Sequence, residues 1–294
     1  MSHTRRFLVL SALVALSSAC QLGEDSPEWE SYEFRCADTG SGLVGLDLVD
    51  IAGTPTISGV GGSVFSNELV TLAGAFDIEG DVVSGGSVTI SGNGAPGGRV
   101  VQNATRIERP DTSEAVEAAR LENDNDKIPC IPQGNKCTSV VDGFALSMNS
   151  HQQITLPAGT YYFESISING QAQLNIDGDV VIYLDGPATF NGGSATNPDE
   201  DSLALISGST SEIKLNGASE AAMHIVAPEA TVRFAGTQGF RGTALAGTLR
   251  VNGTADIEVT SHLALVGESC QPPAGDGGSN DPRGDRGDRT NKDN

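Results

Sequence analysis

From Ile154 to Gly267 one five-residue phrase keeps returning: apolar, polar, apolar, polar or small, Gly. It reads Ile166-Ser-Ile168-Asn-Gly170, Leu174-Asn-Ile176-Asp-Gly178, Ile213-Lys-Leu215-Asn-Gly217, Val232-Arg-Phe234-Ala-Gly236 and Leu249-Arg-Val251-Asn-Gly253. Upstream it recurs as Val70-Thr-Leu72-Ala-Gly74, Phe76-Asp-Ile78-Glu-Gly80 and Val88-Thr-Ile90-Ser-Gly92. Alternation of period two over a few residues predicts a short strand with one buried face. A Gly directly after it supplies a corner with positive φ that a Cβ resists. Strand and corner repeated without helices between them predict an all-β fold, a parallel β-helix (β-solenoid) of short strands. At about 4.8 Å per rung, eight to ten rungs make a rod of roughly 40–50 Å.

Residues 102–150 interrupt this rhythm. Asp111-Thr-Ser-Glu114 ahead of Ala115–Leu121 carries a helix-start signature, so 102–150 reads as a helix-containing excursion against or over the first part of the solenoid. The run Glu122–Asp126 fails the EF-hand pattern, since Pro129 and Asn135 stand where Gly and Glu are needed. The solenoid resumes with Ile154–Phe163, and the near-continuous apolar run 179–186 predicts a strand covered on both sides. The acidic loop 192–201 is expected to bulge from the stack and offers the calcium candidates Asp199, Glu200 and Asp201; no other cofactor is expected.

Composition narrows the functional classes. The chain of 294 residues has 37 Gly, few aromatics and a net charge of −21. Such acidity excludes a nucleic-acid partner, which demands clustered Lys and Arg. Glycine pairs such as Gly97-Gly98 lack the following helix and the Lys-Ser/Thr of a phosphate loop.

The first twenty residues read as a targeting segment. Arg5 and Arg6 precede an apolar run, 7–16, too short to span a bilayer, and Ser-Ser-Ala19-Cys20 follows. This resembles a bacterial lipoprotein precursor, which implies that Cys20 is lipidated and becomes the new amino terminus. Leu16 stands four residues before the Cys, where the usual pattern has an aliphatic residue three before. The alternative is an ordinary secretory signal cleaved near Ala19. Gln21 after the Cys implies, by the same resemblance, the outer membrane. Residues 21–35 then form a tether, 36–270 the solenoid domain, and 271–294 a disordered tail whose two Arg-Gly-Asp triplets are chance matches in a biased segment.

With Cys20 lipidated, Cys36, Cys130, Cys137 and Cys270 remain, and four exported cysteines allow three connectivities. The short turn-rich loop 131–136 favours Cys130 with Cys137, which leaves Cys36 for Cys270. No Cys-x-x-Cys spacing supports zinc.

The stretch Leu156-Pro-Ala-Gly-Thr-Tyr-Tyr-Phe163, the Ile-Val-Ala-Pro segment at 225–228 and the closing His262-Leu263 carry a family resemblance. Together they resemble an uncharacterised Gly-rich solenoid domain of bacterial envelope proteins, found also in some PilX-type pilus-assembly proteins. The resemblance covers most of 50–267 and implies the fold, with no catalytic residues to carry over. Bactofilins share the short-strand rhythm but lack a signal peptide.

Two functions fit. One is a non-catalytic surface lipoprotein whose solenoid is a structural or adhesive module, meeting the membrane through lipid and partnering surface proteins or polysaccharide. The other is a polysaccharide lyase or hydrolase, for which Asp177, Asp179 and Asp185 with Lys214, Arg233 and Arg250 are the nearest candidates. Asp177 and the three basic residues occupy polar positions of the phrase, where outward-pointing charge is the simpler reading. Asn169, Asn175, Asn216 and Asn252 in turn predict an amide ladder along the stack.

Overall fold

Each phrase lays down one strand, and strands one coil apart pair in parallel and in register. The computed structural model describes residues 41–261 apart from 61, 134–135, 193–194, 197–201, 218–219 and 237–238. It is the expected β-solenoid, of about ten turns with one helix. The register resolves three sheets running the length of the stack, so each coil has three sides.

The order of coils along the axis is not the order of the chain. The later segment stacks from Ala145–Met148 upward to Gly239–Gly253 and Asp256–Val259. Leu43–Gly53 then pairs with Gly239–Gly253 on one side and with Val64–Ser66 and Leu69–Gly74 on the other. The amino-terminal coils therefore sit on top of the carboxy-terminal ones, and the helical excursion carries the chain back to the far end. The eight-phrase reading holds two strand sets: Leu174–Gly178 and Phe76–Gly80 pair within one sheet and the other six phrases within another.

The six-phrase sheet ends in stacked glycines, with φ of +72° at Gly170, +77° at Gly217, +99° at Gly236 and +97° at Gly74. A Cβ on Gly74 would stand 2.3 Å from the carbonyl oxygen of Gly53 one coil below. Only glycine satisfies both the left-handed backbone and that approach. Inside, one continuous cluster of Val, Ile, Leu, Ala and a few aromatics fills the axis, with Phe234 and Phe240 in contact at 4.8 Å between ring centroids. Apolar burial at roughly 25 cal/mol per Å² is the main stabilising force for such short strands.

The helix, α1 (Ser113–Leu121), starts where Asp111 accepts a hydrogen bond from the Ser113 N–H at 2.9 Å. Its Val116 and Ala119, three apart on one face, pack on Tyr162, with Phe144 and Tyr183 beside them. It lies on the coils of 153–207, not on the amino-terminal coils. The extended stretch before it covers those: Ala104 and Ile107 close over Val44, Leu46, Phe65 and Leu245. The sheet containing 180–184 is thus buried inside and out, as its apolar run requires.

The run Glu122–Asp126 also has a structural task. Asn125 donates its amide to the carbonyl oxygen of Tyr162 at 2.7 Å and accepts from the Tyr162 N–H at 3.1 Å. Asp124 accepts from the Thr160 N–H at 3.0 Å. These side chains imitate a further strand on an edge that would otherwise present unpaired backbone. Beyond them Val140 is buried and Ile128, Ile131 and Val141 pack on the core, so these residues close this end of the stack. The hairpin Ile131–Gln133 with Lys136–Thr138 is stapled there by the Cys130–Cys137 disulfide, Cα atoms 5.5 Å apart. At the other end Ile90 and Val100 are each 43% exposed.

Candidate functional site

The three sides differ in what they show to solvent. One is covered by α1 and the stretch leading to it. A second is acidic, with Asp177, Glu220, Asp256, Glu258, Asp77 and Glu79 exposed along it and Arg241 paired to Glu258 at 3.0 Å. The third is the six-phrase sheet, whose outer surface nothing else in the described chain covers.

That open side is organised in columns because parallel in-register strands put equivalent side chains one above another. The middle column runs Ser147, Ser167, Thr189, then Lys214, Arg233, Arg250, then Asp50, Thr71, Thr89. Beside it Asn149, Asn169, Asn191 and Asn216 form an amide ladder, in which Asn169, Asn191 and Asn216 each donate to the side-chain oxygen one coil below at 3.3, 2.8 and 2.9 Å. The inner two, Asn169 and Asn191, both donate and accept within the row, which stiffens it. The predicted ladder needs correction. Asn169 and Asn216 belong to it, but Asn175 lies on the acidic side, and Asn252 shares the column only beyond the break at Ala235. Asn191 was missed because its phrase, Ala188-Thr-Phe190-Asn-Gly192, opens with Ala. Val49-Asp-Ile51-Ala-Gly53 was missed equally, though the pattern was legible in both.

Lys214, Arg233 and Arg250 occupy consecutive coils, about one strand spacing of 4.8 Å apart. Glu212 reaches Lys214 at 2.8 Å and Arg233 at 3.8 Å. Among the described residues Arg250 makes no ion pair, and the Arg233 Nε is buried without a hydrogen-bond partner. Like charges at that spacing repel by roughly 1 kcal/mol per neighbouring pair in water.

The enzyme candidates are not brought together. Asp177 is on the acidic side, Asp179 and Asp185 flank the strand on the covered side, and the three cations are on the open side. Asp185 instead accepts a long hydrogen bond, 3.5 Å, from the Tyr162 hydroxyl, whose pKa burial pushes up. Tyr161 donates to the Pro157 carbonyl oxygen at 2.7 Å, and burial raises its pKa to about 12. Neither phenol is poised for proton transfer near neutrality. Among the described residues no three or more His, Cys, Asp and Glu converge as metal ligands. Cys20, Cys36, Cys270, Asp199, Glu200 and Asp201 lie outside the described residues. A shallow notch of about 340 Å³ lies between Arg109–Ser113 and Pro228–Glu229, where Arg109 donates to the Pro228 carbonyl and pairs with Asp47 at 2.6 Å.

No family model matches the chain, and no curated protein does. The chain has distant similarity to solved structures, among them two ice-binding proteins. An ice-binding protein from the Antarctic ascomycete Antarctomyces psychrotrophicus is 15% identical, covering 76% of this chain and 97% of its own, at a TM-score of 0.43. An ice-binding protein from an Antarctic biological consortium is also 15% identical, covering 82% and 96%, at 0.36.

Proposed function

We propose that this protein is a non-catalytic, lipid-anchored surface module of the bacterial envelope whose open side binds an extended partner. One observation carries the reading: a sheet the length of the stack is left uncovered in the described chain, and its outer side chains are ordered in columns. The helix covers one side, acidic residues occupy another, and the Asn ladder stiffens the third. A surface already fixed before contact loses little entropy on binding. The carboxylates expected for a hydrolase or lyase, Asp177, Asp179 and Asp185, stand on other sides from Lys214, Arg233 and Arg250, which favours recognition over catalysis.

The test is retention of the purified protein on a panel of bacterial polysaccharides, cell surfaces and ice, the last being what both similar solved structures are named for. Thr71→Trp, one coil in from the amino-terminal-coil end of the open side, should cut retention on the recognised surface at least tenfold. Glu220→Lys on the acidic side should leave it unchanged. Equal binding by Thr71→Trp and wild type would overturn the assignment of the side. Shortening of a polysaccharide during incubation would return the enzyme reading. Anchoring is tested separately: labelled palmitate should enter the wild-type chain and not Cys20→Ser.

A further inference from the structure

We propose that Lys214, Arg233 and Arg250 form an anion-recognition row for an acidic polysaccharide, one whose carboxylate or sulfate groups recur along its length. The proposal rests on the open side being the binding surface and names the partner's chemistry there.

The row stands out against the rest of the molecule. The chain carries a net charge of −21, so three successive cations in one column run against its overall balance. Other cations are matched to carboxylates: Arg99 to Asp81 at 2.7 Å, Arg106 to Glu68 at 2.9 Å, Arg120 to Glu117 at 2.8 Å and Lys127 to Asp124 at 2.9 Å. In the row, Glu212 alone serves Lys214 and Arg233, and Arg250 has no ion pair among the described residues. Asp50, the next position in the column, makes none with it. The row therefore keeps a positive excess on an uncovered surface.

The chemistry suits an anionic chain lying along the solenoid axis. Guanidinium groups bind planar carboxylates and sulfates through two parallel N–H donors, and two of the three cations are Arg. The Arg233 side chain is 40% exposed although its Nε is buried without an acceptor, so an anion meets its terminal nitrogens. Coil spacing repeats the positive charge along the axis, so a polymer with recurring anions meets several at once. Asn216 and Asn252, in the column beside Lys214 and Arg250, place amides where sugar hydroxyls would lie. Mutual repulsion within the row is relieved by a bound anion, so the same arrangement disfavours the empty state.

The test uses the full purified protein with polygalacturonate as the carboxylate probe, dextran sulfate as the sulfate probe and neutral dextran as the control. Binding to one or both polyanions is expected, falling steeply between low and physiological salt, with none to neutral dextran. The Arg233→Gln/Arg250→Gln variant should bind at least tenfold more weakly while its melting temperature stays at or above that of wild type. Arg250→Gln alone, at an exposed position without an ion pair, keeps the test open should the double variant fold poorly, and should weaken binding about threefold or more. Arg106→Gln/Arg120→Gln, which removes the same charge elsewhere, should bind like wild type. Equal losses in the two double variants would reduce the effect to net charge and overturn the row. Absent polyanion binding, with Thr71-sensitive retention on another surface intact, would sink the row and leave the open side standing. Loss of both would remove both proposals.

Discussion

Gly236→Ala tests whether the repeating glycine is set by backbone conformation alone or also by the coil beneath it. At Gly236 φ is +99°, and a Cβ would stand 2.8 Å from the Gly217 carbonyl oxygen, 2.9 Å from its nitrogen and 3.0 Å from its Cα. The left-handed backbone costs a residue with a Cβ roughly 1–2 kcal/mol. Pressing that carbon into a well-packed neighbour costs about 1–3 kcal/mol more, because the contact is to backbone held in a sheet. The two together predict a loss of about 2–5 kcal/mol. Gly143 is the matched control, with φ of +59° and nothing within 4 Å of a built Cβ. Gly143→Ala should lose only the first part, about 1–2 kcal/mol. Urea unfolding followed by circular dichroism gives the difference if the slope is shared. Because stacked coils couple mainly to their neighbours, amide exchange should rise first at 213–217 and 232–236 in Gly236→Ala. If Gly236→Ala costs no more than Gly143→Ala, close stacking of glycines is not what fixes the corner.

Asn191→Ala removes one rung of the amide ladder and strands the amides of Asn169 and Asn216; it should destabilise by about 1–2 kcal/mol, against under about 0.5 for Ala at Asn252, which lies beyond the break. Asp81, hydrogen-bonded through side chain and backbone to Arg99, has its pKa held below the ordinary 3.8. A depressed carboxylate stabilises fully above its unfolded value and loses that contribution as pH falls through the folded one. Amide exchange at Val82 and Val100 should therefore accelerate as pH drops below 3.8, and Asp81→Asn should abolish the dependence. Reducing the Cys130–Cys137 bond, sequence separation 7, should loosen the closed end by about 2–3 kcal/mol, read as protease sensitivity at 128–141.

The fold was legible because its determinant is local. An apolar residue two places from another, then Gly, fixes strand, face and corner within five residues, and the strand covered on both sides was readable from Val180-Val-Ile-Tyr-Leu184 for the same reason. The order of coils was not legible. Nothing in Val49–Gly53 says that its neighbour is Leu249–Gly253 rather than a segment near it in sequence, because every phrase offers the same edge. The Asn ladder was half legible: the Asn in the fourth place of the phrase was noticed, but Asn175 occupies that place on another side, and side assignment needs the register. The cation row illustrates the same limit. Lys214, Arg233 and Arg250 were each visible as outward residues, whereas their adjacency, and their separation from Asp177 and Asp185, follow only from stacking.

The interrupted order of coils also decides how the molecule is presented. Because the amino-terminal coils rest on the carboxy-terminal ones, the described chain enters and leaves near the middle of the stack, where the Ala244 N–H donates to the Gly42 carbonyl at 2.9 Å and Gly42 abuts Val259 and Ser261. Gly42 starts a strand of the covered side, and Val259 ends one of the acidic side. Both therefore lie on the ridge between those two sides, which in a three-sided coil is the ridge opposite the open one. The described chain thus enters and leaves on the flank of the stack, on the side away from the open sheet and its cation row. The same topology explains why the polar columns could be left bare: the excursion that covers one side is the connection the coil order demands, and nothing comparable is required to cross the other.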